Sequence, residues 1–586
     1  MRAKYQSLVD RIVDWALVGR LALFAVIGAG CYYNALDAPF IFDDLKGIVE
    51  SPAVRQLWPP SAVMDIGQDE TPRGRPVVAF SLAANYAVSE LEVWSYHLLN
   101  LVIHVGAALL LFRLTRLLLR HSPDAQALKG GVDGPALAVA LIWLTHPLAT
   151  SVVTYTVQRA ESSMALFYLL AMHLAVCSFV ADKRRRILQI AAIGACWIGV
   201  GCKESFATAP VAIFLLDWGV LKNQWKEIRR ERTWFYVGLA SCWLALALLM
   251  IEWPRSQSVG GGQIGSLDYF LMQWQIIVQY LKVIVLPGGL SLDYVWQQPS
   301  FAQALPYGLF LTGLAVGAGW FFFIKRVSAA FPLLFLFLVM GPTSSVVPIH
   351  TSVGGDHRVY LPLAGLIFLG VFGCVLALRR LNLRPDSLRV VGVALTCALI
   401  SALSYETVKR NRDYRSGISI WRDVTEKQPW NDRAWSNLGG HLYVAGIKDE
   451  AFECYRKSVQ LNSNDGYTLS GYGLILGQRG RYEEAGETLL RAIELIPRDV
   501  MARVYLGLVA TDAGELEFAA ESFRGALSLD LTHAKANFYL ADVYSRQGRY
   551  AEALAHVEQT LRTQPDFPGA AQSKEELMRT LQEFGR

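Results

Sequence analysis

The chain has 586 residues, 53% of them apolar and 18% charged, against roughly 45–50% and about 25% in soluble globular proteins. That excess excludes a wholly water-soluble protein. A net charge of only +5, with its basic residues gathered beside apolar runs, excludes a nucleic-acid-binding surface.

The apolar excess is confined to residues 1–407, which read as a polytopic membrane domain. Runs long enough to cross a bilayer occur at about 12–33, 95–117, 134–151, 161–181, 187–202, 204–221, 233–252, 306–324, 328–348, 359–379 and 388–407. No small-residue cleavage site follows the first run, so it is expected to be retained as a helix. Arg2, Lys4 and Arg11 precede it, Arg113, Arg116 and Arg120 follow the second, and the basic stretch 183–186 follows the fourth. Lys222, Lys226, Arg229, Arg230 and Arg232 follow the sixth, Lys325 and Arg326 the eighth, and Arg379, Arg380 and Arg384 the tenth. With eleven spans every cluster lies on one face, which the positive-inside rule makes cytoplasmic. A further run, 269–287, carries Gln273, Gln275, Gln279 and Lys282; it is read as an interfacial or internally packed helix and is not counted. Regions 34–94, 152–160, the turn at 203, 253–305 and 349–358 then reach the outer face, as does everything after 407.

The outer regions hold the polar residues that most need a reason. Loop 34–94 has Phe42-Asp43-Asp44 and Arg75, and 77–91 is able to form an interfacial helix. His97, Asn100 and His104 share one face of the second span, the pattern of a helix contact or cavity wall; with the two histidines seven positions apart and no third ligand, metal binding is disfavoured. His146-Pro147 ends the third span, Arg159-Ala160-Glu161 opens the fourth, and Lys203-Glu204 sits between two apolar runs. Later come Asp293-Tyr294 and Arg358-x-Tyr360. Taken one at a time, each of these fits a snorkelling or interfacial residue as well as a functional one. Together they put Arg159, Lys203 and Arg358 on the same side as the aspartate pair, an arrangement suited to a lipid-linked phosphate. The cysteines Cys31, Cys177, Cys196, Cys202, Cys242, Cys374, Cys397 and Cys454 form no CxxC pair and mostly border apolar runs, so they read as small apolar residues.

After a linker at 408–431, residues 432–567 repeat every 34 positions. Leu438-Gly439, Tyr472-Gly473, Leu506-Gly507 and Leu540-Ala541 align, as do Ala451, Ala485, Ala519 and Ala553. This is the tetratricopeptide (TPR) pattern in four copies, an α-solenoid that binds peptide or protein segments or serves as a spacer. Residues 568–586 read as a capping helix.

The ordered set Phe-Asp-Asp at 42–44, Arg75-Pro76, His97-x-x-Asn100-x-x-x-His104, His146-Pro147, Arg159-Ala160-Glu161, Lys203-Glu204, Leu292-Asp293-Tyr294 and Arg358-x-Tyr360-x-Pro362, followed by the repeats, resembles the transmembrane and TPR-containing O-mannosyltransferases and their bacterial relatives, of the GT-C glycosyltransferase class. The resemblance implies an all-α chain: a GT-C-type domain of about eleven transmembrane helices, then the TPR solenoid. It also implies a polyprenyl-phosphate-sugar donor, an acceptor hydroxyl on the extracytoplasmic face and inverting transfer, with the acidic motif supplying the catalytic carboxylate, here Asp43 and Asp44. Arg159, Lys203 and Arg358 are then candidates for the donor phosphate, with Glu161 and Glu204 orienting them. Arg75, His97, Asn100, His104, His146, Asp293, Tyr294 and Tyr360 are expected around the pocket. A bacterial inner-membrane protein is expected, which favours an undecaprenyl carrier over dolichol. Membrane lipid and a protein acceptor held by the repeats are the expected partners, no cofactor beyond the lipid-linked sugar is called for, and a divalent-metal requirement stays open. Two other readings fit parts of the chain, a non-catalytic membrane-anchored TPR scaffold and a cell-surface polysaccharide ligase or polymerase. The sparse arginines of 253–305 speak against the ligase, and the number of spans against a mere anchor.

Overall fold

The computed structural model describes residues 15–584 except 68–69, 124–130, 181–183, 255–263, 346, 350–352 and 382–383. Arg2, Lys4, Arg11, Lys183 and Arg255 lie outside the described residues. Every described element is helical, and they fall into two units, Met1–Ile420 and Trp421–Arg586.

In the first unit, six helices among the described residues are long and apolar enough to cross a membrane: Val93–His121, Thr156–Val180, Thr233–Glu252, Phe301–Ile324, Pro362–Arg379 and Asp386–Asp413. A seventh is the pair Asp133–Thr145 and Pro147–Val153, bent by 49°. Proline at 147 has no N–H to give and its ring crowds the preceding turn, which accounts for the break. Eleven spans were expected, and the difference lies in short or broken segments. The run 187–202 forms the 16-residue helix Arg185–Val200. The run 204–221 divides into a 3-10 turn Glu204–Thr208, a helix Ala209–Leu215 and a wider turn Leu216–Val220. The run 328–348 yields a 10-residue helix, Phe331–Met340. The first expected span contains the helix Trp15–Tyr32, its start lying outside the described residues. Residues 269–287 form the helix Ser266–Val285, which buries Tyr269, Met272, Gln273, Ile276, Tyr280 and Val283 along one face.

The segment read as a linker is largely helix. The last long helix, Pro385–Asp413, runs six residues past the expected boundary, and Gly417–Lys427 is a further helix. Buried polar side chains hold the extension: Thr407 Oγ1 donates to the Thr145 carbonyl (2.7 Å), Thr154 Oγ1 to Asn411 Oδ1 (2.8 Å), and Asn411 Nδ2 to the Cys31 carbonyl (2.9 Å). Polar letters that suggest exposure are here internal ties.

In the second unit, first helices of the repeats start at Asp432, Gly466, Val500 and Ala534, each with a partner helix. Their N-caps Asn431, Asp465, Asp499 and His533 all accept backbone N–H bonds from the first turn. Between the paired helices stand Gly446, Gly480, Gly514 and Gly548, all at φ of 76 to 85°. The helix Ala570–Phe584 follows as the expected cap.

Candidate active site

The acidic motif lies on a strained turn. Phe42 has φ 49°, a conformation bulky side chains avoid, and it aims two successive carboxylates differently. Asp44 is fully buried; its Oδ2 accepts the Ile41 N–H (3.2 Å) and its Oδ1 the Val157 N–H (2.8 Å). It thereby ties the first loop to the segment just before the helix Arg159–Val180. Burial raises its carboxyl to about 8, against the pull of the N–H donors of Val157, Ile41 and Thr156, and the nearby Asp43 charge adds to the rise. Asp43 is only half-buried, and its backbone N–H donates to Tyr155 Oη at 3.1 Å. Burial and the two carboxylates hold the Tyr155 phenol well above its ordinary range.

Behind this turn His97, Asn100 and His104, on one face of the helix Val93–His121, each make buried hydrogen bonds. A His97 ring nitrogen donates to the Ala38 carbonyl (2.8 Å), fastening the loop's start. Asn100 Nδ2 donates to the Val153 and Thr156 carbonyls, while its Oδ1 accepts Arg159 Nε at 2.6 Å. Arg159 is fully buried and its remaining donors reach the Ser81 carbonyl (3.1 Å), Ser81 Oγ (3.2 Å) and the Tyr96 carbonyl (3.0 Å). Arg159 is thus enclosed by neutral acceptors. His104 Nε2 donates to the Leu144 carbonyl (3.0 Å), which leaves Nδ1 to accept from the Tyr360 hydroxyl (2.6 Å). Trp143 Nε1 donates to the Tyr360 carbonyl (2.9 Å). His146 sits at the kink, where Nδ1 accepts the Leu148 N–H and Nε2 donates to the Ile284 carbonyl.

A second polar group gathers on the other side of the start of helix Arg159–Val180. Glu161, in its first turn, forms a buried ion pair with Lys203, and Arg75 pairs with Glu204 at 3.1 Å. Arg75 immediately precedes the helix Pro76–Ser89, and the Val77 N–H donates to the Gly201 carbonyl (3.2 Å), which sets Arg75 beside the Lys203 turn. Burial and the charges of Lys203, Arg358 and Arg75 push His357 well below its ordinary value, so His357 belongs to the same group. Arg358 donates to the Val353 (3.0 Å) and Thr343 (3.1 Å) carbonyls. Tyr294 donates to Asp356 Oδ1 at 2.8 Å, and the Asp293 carbonyl accepts from Ser291 Oγ.

Sequence reasoning passed over Tyr155 and His357. Tyr155 lies four residues before Arg159, and His357 directly before Arg358, so adjacency to those cations was the available signal.

Tetratricopeptide-repeat models match residues 408–466, 472–531 and 510–577. Protein O-mannosyl-transferase F38B6.6 of Caenorhabditis elegans is 23% identical over 469 residues, covering 74% of this chain and 61% of that protein. Protein O-mannosyl-transferase Tmtc3 of Drosophila melanogaster is 22% identical over 529 residues, covering 78% and 56%. The solved TPR protein YrrB, described as having an unusual peptide-binding site, aligns at 21% identity with a TM-score of 0.24, covering 32% of this chain and 91% of its own. The chain thus spans 56 to 61% of the length of these two curated relatives. Over most of its length the chain is thus similar to these O-mannosyl-transferases, with tetratricopeptide repeats following a helical region that holds six membrane-length apolar helices among the described residues.

Proposed function

We propose that the chain is an integral-membrane glycosyltransferase, of GT-C type, that moves a sugar from a polyprenyl phosphate to a Ser or Thr hydroxyl of a protein on the extracytoplasmic face. The observation that carries this reading is the division of labour in the acidic motif: Asp44 anchors the loop on Val157, leaving the half-buried Asp43 beside the helix start that also holds Glu161 against Lys203. Asp43 takes the proton of the acceptor hydroxyl as its oxygen bonds to the anomeric carbon. The bond from that carbon to the phosphate oxygen breaks, its electron pair leaves with the phosphate, and the configuration inverts. The rising negative charge on phosphate calls for fixed cations, and Lys203, Arg75 and Arg358 are the group suited to it. Arg159 is a positioning residue in this scheme, since it reaches the site through Asn100 and the backbone. The repeats bind the acceptor segment or a partner. The charge pattern favours the outer face for both.

The test compares extracytoplasmic proteins of wild-type, deletion and Asp43→Asn cells by mass spectrometry. A hexose or pentose mass on Ser or Thr that is present in the first and absent in the other two is the expected result. An unchanged modification pattern in the deletion strain sinks the proposal.

A further inference from the structure

Apart from the acidic site, an apolar groove of about 440 Å³ lies between the helices Ala209–Leu215 and Thr233–Glu252. Val211 and Phe214 form one wall, and Tyr236, Val237, Ala240 and Trp243 the other. From Thr233 to Trp243 the groove follows the span for roughly 15 Å, at about 1.5 Å per residue. Its walls are fixed: Trp243 Nε1 donates to the Ala207 carbonyl (2.8 Å), and Phe214 packs edge-on against Trp225 with centroids 5.9 Å apart. Yet Val237 is 65% and Trp243 45% exposed, so no described residue of the first unit fills it.

The mouth of the groove carries charge. The short helix Trp225–Glu231 closes it with Trp225 and Arg229, and Lys226 lies three residues before Arg229 on the same helix. Arg230 is paired with Glu231, and Arg232 is buried on Asp217 and also reaches Glu227. Asp217 further accepts Asn223 Nδ2 (2.7 Å) and the Tyr236 hydroxyl (2.6 Å), so this network fixes the short helix at the start of the span. Arg229 and Lys226 are exposed and in no ion pair among the described residues. An apolar channel of acyl-chain length, a tryptophan at its mouth and two uncommitted cations above it match one ligand class.

We propose that this groove holds an acyl chain of an anionic phospholipid, with Arg229 and Lys226 on its phosphate. The choice of an anionic over a zwitterionic lipid rests on the two cations, and the site is independent of the sugar-transfer reading.

The full chain, purified in detergent and exchanged with phosphatidylglycerol or phosphatidylcholine, is examined by native mass spectrometry. Retention of phosphatidylglycerol over phosphatidylcholine is expected, falling roughly 25-fold in K226Q/R229Q, at about fivefold per basic residue near a membrane surface. Ala240→Trp, which fills the groove and leaves both cations, is expected to remove retention as well. Equal retention of the two lipids, or phosphatidylglycerol retention unchanged in both variants, overturns the proposal. So does a dimer of the chain that dissociates in Ala240→Trp, which would make a second copy the occupant.

Discussion

Asp44 accepts the backbone N–H of Val157 at 2.8 Å, joining points 113 residues apart in the chain. This bond, with the one from Ile41, makes Asp44 the anchor of the loop, while Asp43 stays half-buried beside Tyr155. Asp43→Asn is therefore expected to leave folding intact and abolish sugar transfer. Asp44→Asn is expected to destabilise the chain by about 1–3 kcal/mol, because an amide NH₂ accepts nothing and would confront a buried backbone N–H. Thermal unfolding in detergent, read beside Ser/Thr modification, separates the two; an Asp43→Asn protein that still transfers removes Asp43 as the base.

The raised Asp44 carboxyl has a signed consequence. Its folded value of about 8 stands above its ordinary 3.8, so between those values the folded chain binds more protons than the unfolded one. Stability from this group is complete below about pH 4 and is lost as pH rises through about 8, with a slope of at most about 1.4 kcal/mol per pH unit. Unfolding temperatures from pH 5 to 8 are expected to fall more steeply for wild type than for Asp44→Asn. Parallel curves would show that Asp44 does not titrate in that window.

Arg159 tests whether a buried cation is a strut or a ligand. Arg159→Ala leaves Asn100 Oδ1 and the Ser81 and Tyr96 carbonyls without their donor, a loss on the order of 3 kcal/mol or more. Arg159→Lys keeps the charge and loses the planar fork, with an expected cost of about 2 kcal/mol. A Lys variant with wild-type unfolding and impaired transfer would instead make Arg159 a phosphate ligand.

These residues also show what sequence conveys. The 34-residue period was legible because caps, glycines and small positions are local demands repeated four times. The aspartate pair was legible because carboxylates are rare beside apolar runs. The partners of Arg159 were not legible, because two of its four acceptors are backbone carbonyls, which leave no letter in the sequence. Eleven runs were read as spans, whereas six or seven segments among the described residues are helices long and apolar enough to cross a membrane, for a related reason. Hydropathy registers apolar content and is blind to breaks such as the divided segment 204–220, and Asn411 looked like linker because its partners Thr154 and Cys31 lie more than 250 residues away.

In the repeats, Gly507 and Gly514 do different things. A Cβ at Gly507 would fall 2.6 Å from the Phe523 ring, so Gly507→Val forces the paired helices apart, at about 1–3 kcal/mol. Gly514, at φ 85°, has open space around it, and Gly514→Ala carries only the backbone penalty of about 1 kcal/mol. Hydrogen exchange on the full chain is expected to quicken across 500–527 strongly in the first variant and mildly in the second. Equal protection in both would mean the close approach is not limiting.

Lys203 and Glu161 form a buried ion pair whose two roles come apart in a double variant. Burial pulls the Lys203 ammonium below its ordinary value and Glu161 holds it up, so each charge depends on the other. Lys203→Met alone strands the Glu161 carboxylate, at about 3–5 kcal/mol, whereas E161Q/K203M removes both charges and is expected to recover to within about 1 kcal/mol of wild type. If Lys203 also steadies the leaving phosphate, the recovered double variant will fold and still fail to transfer sugar. Stability and transfer returning together would make the pair a structural brace and would assign the phosphate to Arg75 and Arg358.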